Sequence, residues 1–133
     1  MLTPSLLSPV MEELYPLHQR LHRCPELSHQ ERNTTALIRE TLCRWGIPVM
    51  DFGLETGVVA RIRGAKAGPL LCLREDIDAL PIAEMTGLPY ASEVPGVSHA
   101  CGHDLHTVSL LGCAKLLQEA RQQLQGDVLL LFQ

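Results

Sequence analysis

Aromatic residues are scarce in this chain: two Phe, two Tyr and one Trp in 133 residues. Base-stacking platforms are therefore excluded, and eleven Lys plus Arg against fifteen Asp plus Glu leave no basic footprint for a nucleic-acid backbone. Long hydrophobic runs are also missing. The apolar run at 128–132 is far too short to cross a bilayer, so no membrane partner is expected. The first ten residues lack a basic segment, are broken by Pro4 and Pro9, and run into Glu12 and Glu13, which is unlike a signal peptide. Paired cysteines are lacking as well. Cys24, Cys43, Cys72, Cys101 and Cys113 are odd in number and widely spaced; three of them, Cys113 included, sit in apolar surroundings where a reduced thiol packs as a small hydrophobe. These absences together predict a cytoplasmic protein in a reducing compartment.

What is present is a core: 46% of residues are hydrophobic, enough for one domain of ordinary size. Ser8-Pro9 reads as an N-cap and first-turn proline, with Val10, Leu14, Leu17 and Leu21 following at helical spacing. Pro16 either kinks this helix or moves its start to Tyr15. His18 and His22 are four apart and so within reach of a shared metal, but their polar neighbours read them as the flank of the helix. Cys24-Pro25 ends it. Ser28 and Glu31 form a capping-box pattern before a second helix carrying Thr34, Leu37, Ile38, Thr41, Leu42 and Trp45, which Gly46 terminates.

Three strands are expected next, at 49–52, 57–62 and 69–73. The last is a continuous apolar run that suits a strand buried on both faces, and 64–68 reads as a hairpin-like link to it. Residues 82–100 form a long loop rich in Pro and Gly, and such loops in compact domains tend to be functional. From Asp104 a helix resumes with Thr107, Leu110, Leu111, Ala114, Leu117 and Leu124, closed by Gly126, and 128–132 reads as another buried strand.

Two stretches carry chemistry. Directly after the third strand, Arg74-Glu75-Asp76-Ile77-Asp78 places three acids at a strand's C-terminal end, where open α/β sheets put ligands; solvated or Arg74-paired carboxylates fit the spacing equally well. Farther on, Ser98-His99-Ala100-Cys101-Gly102-His103-Asp104-Leu105-His106-Thr107 holds a thiol, three imidazoles and a carboxylate. In extended backbone Cys101 and His103 point the same way, and the glycine between them leaves room for an ion. Two donors do not close a metal shell, so further ligands are expected from elsewhere. Strand, acidic loop, long loop and helix would bring Asp76, Asp78, Cys101 and His103 together, with a carboxylate orienting a ligand imidazole through its second nitrogen. Two rivals weigh less. Cysteine catalysis with His103 or His99 as base suffers from nucleophile and base lying on one segment, and a structural zinc wants cysteines in paired spacing.

These residues, with Leu73-Arg74-Glu75-Asp76-Ile77-Asp78-Ala79-Leu80-Pro81, Thr86-Gly87-Leu88-Pro89-Tyr90, Leu21-His22-Arg23-Cys24-Pro25-Glu26-Leu27-Ser28 and Thr56-Gly57-Val58-Val59-Ala60, closely resemble the amidohydrolase branch of the M20 metallopeptidases, the N-acyl-amino-acid, hippurate and auxin-conjugate hydrolases. The resemblance implies an α/β fold with a mixed, partly parallel sheet flanked by helices. It implies a hydrolase with two divalent ions, manganese or zinc, that cleaves the amide of an N-acyl amino acid or short peptide; complete members are often dimeric. Cys101 and His103 fall on metal-ligand positions, Asp78 on a supporting aspartate, and Asp76, Asp104 and His106 are candidates for outer-shell or substrate contacts. Glu75, where a small residue is usual, and Val108 are departures. The family's general-base glutamate and later ligands follow the strand at 128–132 and have no counterpart in these residues. By the resemblance, 1–133 is the N-terminal part of one catalytic domain, without the dimerisation domain. The alternative expectation is a catalytically inactive fragment or interaction subunit, with 128–132 as an exposed edge strand.

Overall fold

The computed structural model describes the backbone from residue 4 and the side chains from residue 8 to residue 133; Met1, Leu2 and Thr3, the start of the stretch read as unlike a signal peptide, lie outside the described residues. Helix α1 (Pro4–Arg23) begins before Ser8-Pro9, so that pair is not the N-cap expected, and it runs on through Pro16, whose ring sits on the exposed side. No helix among the described residues is long and apolar enough to cross a membrane.

Helix α2 (Arg32–Arg44) starts three residues later than the Ser28–Glu31 capping box predicts, with Glu31 in the N-cap position, and a different residue caps it. Glu31 makes no capping bond; instead the Glu26 carboxylate, from the turn after α1, accepts the N–H groups of Asn33 (3.0 Å) and Thr34 (2.8 Å). A carboxylate on the positive end of a helix satisfies two otherwise unpaired donors at once. Glu26→Ala should therefore cost about 1–2 kcal/mol, read as a lowered denaturant midpoint at unchanged slope. At the other end Gly46 (φ 69°) closes α2: its N–H bonds to Cys43 O and the Ile47 N–H to Leu42 O, the Schellman arrangement that a left-handed glycine permits.

The sheet has order β1-β2-β4-β3, from β1 (Val49–Met50), β2 (Val58–Ile62), β3 (Lys66–Glu75) and β4 (Gln125–Phe132). β2 pairs antiparallel with β1 and β4, and β3 pairs parallel with β4. The mixed, partly parallel α/β architecture is thus the one expected, while four local expectations change. The 64–68 segment is not a hairpin, because β4 lies between β2 and β3. β4 is an interior strand rather than the exposed edge, burying Val128, Leu130 and Phe132 on one face. The edges are β1 and β3, and in β3 Leu70 is 58% and Leu71 55% exposed, so this run is not buried on both faces. Gly126 does not close a helix; it sits inside β4 at φ 88°, where a Cβ would lie 2.0 Å from Pro69 O, at the bulge between β3 and β4.

Helix α3 (His103–Glu119) crosses from β3 to β4 and packs Leu110, Leu111 and Ala114 against Ile38, Leu42, Ile62, Leu130 and Phe132. The thiols are not core elements. Cys24, Cys43, Cys72 and Cys113 are exposed and Cys101 half-buried, all free, because each of the four exposed thiols faces out from the end or solvent side of its element. The parallel β3-α3-β4 unit decides where chemistry can occur. Both strand C-termini, the start of α3 and the 76–102 connection meet on one side of the sheet, tied by Gln133 N–H to Glu75 O (3.1 Å) and Ile77 N–H to Gln133 O (2.8 Å).

Candidate metal centre

His103 is the first residue of α3, entered through Gly102 in the left-handed region (φ 81°), a conformation that a side chain at 102 would strain. Its Nδ1 faces the Asp78 carboxylate at 2.8 Å and the Asp78 carbonyl at 3.1 Å. Both are acceptors, so Nδ1 carries the ring proton and Nε2 is left as a lone-pair donor. The Cys101 thiol turns to the same carbonyl at 3.6 Å. Asp78, Cys101 and His103 are thus brought together around one residue of the acidic loop.

Asp76 is not part of that contact. It pairs with Arg74 at 2.5 Å and, with Asp78, borders a cleft of about 470 Å³ at the C-terminal ends of β3 and β4. His106, one turn into α3, is exposed and stacks on the His103 ring at 5.6 Å between centroids.

Asp104 holds a second group. Only 2% exposed, it receives His22 Nδ1 at 2.6 Å and His18 Nε2 at 2.9 Å on a single oxygen, Oδ2. His22 Nε2 lies 3.1 Å from Glu84 in the long loop. Burial opposes charge on His22, yet its bonds to Asp104 and Glu84 prevail and raise its pKa. Glu84 is held down to about 2, first by the Thr86 hydroxyl and then by the Ser92 N–H. Reading His18 and His22 as a plain polar flank is thus corrected: the i, i+4 spacing was visible, but their partners lie 62 to 86 residues away.

His99 is buried (5% exposed) with neither ring nitrogen hydrogen-bonded, and burial pushes its pKa down, keeping it neutral. Its strongest charged neighbours are Asp104, His22, His103 and Asp78, which places it between the two groups. Orphaned buried nitrogens beside a thiol, a presented imidazole and carboxylates fit a region built to take a cation.

Comparison with known proteins places this geometry in a family. The profile of Peptidase family M20/M25/M40 matches residues 72–133, the segment holding the acidic loop, the long loop and the Cys-Gly-His-Asp turn. An N-acetyl-L-cysteine deacetylase of Bacillus subtilis is 51% identical over 130 residues, 98% of this chain and 31% of that protein. The chain belongs to the M20 family. An N-acyl-L-amino acid amidohydrolase of Geobacillus stearothermophilus is 41% identical over 128 residues, covering 96% of this chain and 35% of that one. Among solved structures, the Bacillus subtilis YXEP protein, described as a dinuclear metal binding peptidase from the M20 family, superposes with a TM-score of 0.92 at 48% identity over 94% of this chain and 35% of its own. The chain spans about a third of the length of the relatives it matches.

Within this M20 chain Glu75 stands apart. It is 9% exposed, and neither carboxylate oxygen has a hydrogen-bond partner. The nearby Thr107 hydroxyl donates to the His103 carbonyl at 2.9 Å. Burial drives the Glu75 pKa to about 8; the Thr107 hydroxyl and Arg74 offset this in part and the Asp76 charge adds to it.

Proposed function

We propose that the chain contributes one half of a divalent-metal site in an amide hydrolase that releases an amino acid from an N-acyl amino acid or short peptide. The observation that carries this reading is the Asp78–His103 contact at 2.8 Å. It fixes the imidazole tautomer and orientation and raises the basicity of Nε2, as outer carboxylates do for ligand histidines. Cys101 and His103 are the ligands and Asp78 the orienting residue. Asp76, at the rim of the cleft, and His106, beside His103, are placed to meet substrate, while Asp104 sets the start of α3. The cleft beside Asp78 is the acyl-amino-acid subsite. When bound, a pair of divalent ions, manganese or zinc, supplies Lewis acidity at the amide carbonyl and an activated water. What these residues do is present two donors on one side, hold the Nδ1 proton of His103 in place, and exclude water through the 82–100 loop.

Among the described residues no third donor joins the Cys101–His103 pair, so in this reading 1–133 forms the N-terminal part of a catalytic domain whose general base and remaining ligands come from other polypeptide. The test is an assay on N-acetylcysteine and hippurate with added manganese or zinc, for the chain alone and co-expressed with the downstream two-thirds of a relative. Chelator-sensitive turnover in the co-expressed sample, and none from the chain alone, is the expected result. Turnover that ignores chelator and is abolished by alkylating Cys101 would establish a cysteine mechanism instead.

A further inference from the structure

We infer that His18, His22 and Asp104 form a second cation site, separate from the Cys101–His103 pair and selective for zinc-like divalent ions. Their donor atoms, two imidazole nitrogens and a carboxylate oxygen, all lie within 4.8 Å of one another. Two of the residues are adjacent on one face of α1, and the third is in the first turn of α3, so an ion here would clamp the two helices beside the candidate hydrolytic centre.

The second observation is independent of that clustering. His22 turns one nitrogen to Asp104 and the other to Glu84 at 3.1 Å, and Glu84 is itself fixed by the Ser92 N–H at 2.6 Å and the Thr86 hydroxyl. A carboxylate behind an imidazole, anchored by its own hydrogen bonds, is the outer support that metal-ligating histidines carry. Tyr90 stands edge-on to both rings, at 5.8 and 5.5 Å, and limits their rotation. All three donors are shielded, the histidine side chains at 17% and 14% exposure and Asp104 at 2%.

Donor type selects the ion. Two nitrogens and one oxygen suit zinc, cobalt or nickel, and offer too few oxygens for calcium or magnesium. The present contacts of 2.6 and 2.9 Å are hydrogen-bond distances. Ligand atoms about 2.0–2.2 Å from a tetrahedral ion stand roughly 3.4 Å apart, so the two contacts must open by about 0.5 to 0.8 Å to admit one. A small rotation of the Asp104 carboxylate and the two imidazoles supplies that.

Cobalt(II) titration of the metal-free 133-residue chain tests the assignment, read by calorimetry and by absorption. The Cys101→Ser/His103→Gln double variant should still bind one equivalent of cobalt with ligand-field absorption and no thiolate charge-transfer band. Adding His18→Ala to that variant should weaken this binding at least ~10-fold, and Glu84→Gln should weaken it ~10–100-fold. Far-UV circular dichroism checks each fold, and Glu84→Gln carries the test if His18→Ala unfolds. A double variant that binds no cobalt, or binding indifferent to both His18→Ala and Glu84→Gln, overturns the inference. Failure of the Cys101–His103 reading has a different signature: no thiolate band in the unmodified chain.

Discussion

Exchanging Glu75 for glutamine should stabilise the chain by about 2–5 kcal/mol at pH 9 while changing little at pH 4. The carboxyl is shut away at the C-terminal end of β3 without a hydrogen-bond partner, and burial lifts its pKa from 4.5 to about 8. The folded chain therefore holds this proton more tightly than the unfolded chain. The stability associated with the protonated form is fully present below about pH 4.5, falls as pH rises, and is gone above about pH 8. A shift of that size corresponds to about 5 kcal/mol at most, since each pKa unit is about 1.4 kcal/mol and local relaxation reduces the total. Glutamine keeps the shape and cannot ionise. Urea midpoints of the two proteins should therefore coincide at pH 4 and diverge progressively to pH 9; parallel curves would show that Glu75 is hydrated.

The second large effect concerns affinity for metal. Asp78→Ala removes the acceptor that fixes the His103 Nδ1 proton, freeing the ring to rotate and to present the wrong tautomer. Zinc or cobalt affinity at the Cys101–His103 pair should fall ~10–100-fold, the range seen when the carboxylate behind a ligand imidazole is lost. Asp76→Ala is the contrast. Asp76 is held by Arg74 and touches neither donor, so its removal should leave cobalt affinity within about twofold, because an exposed charge at that remove is largely screened. Titration following the thiolate charge-transfer band separates the two variants; equal losses would mean that the acidic loop acts only through its summed charge.

Much of this was legible in the residues. Helical spacing located α2 and α3, Gly46 marked a helix end, and Cys101-Gly102-His103 next to an acidic strand end pointed to one side of a parallel unit. What could not be read depends on partners distant in the chain. The apolar run of β3 looks the same whether a neighbour covers it or not, so its exposed edge position and the insertion of β4 beside it were hidden. Glu31 fitted the local capping pattern, but Glu26 lies closer in space to the open N–H groups of α2. Cys113 sits next to apolar positions in sequence and on the solvent side of α3 in space. The histidines of α1 carried a visible spacing, and only the fold supplies Asp104 and Glu84 to give it meaning. Asp76 and Asp78 are indistinguishable by composition and, two apart, border the same cleft; only the fold sets Arg74 beside one and His103 beside the other.

The most direct test of the central claim is X-ray absorption spectroscopy at the zinc edge of the His18→Ala variant, in which the histidine pair of α1 no longer competes for the ion, loaded with one equivalent of zinc. Ligation by Cys101 and His103 predicts a sulfur shell at about 2.3 Å and nitrogen or oxygen scatterers at about 2.0–2.1 Å, with the sulfur shell lost in Cys101→Ser. A spectrum without sulfur, or a sulfur shell that survives Cys101→Ser, would contradict it.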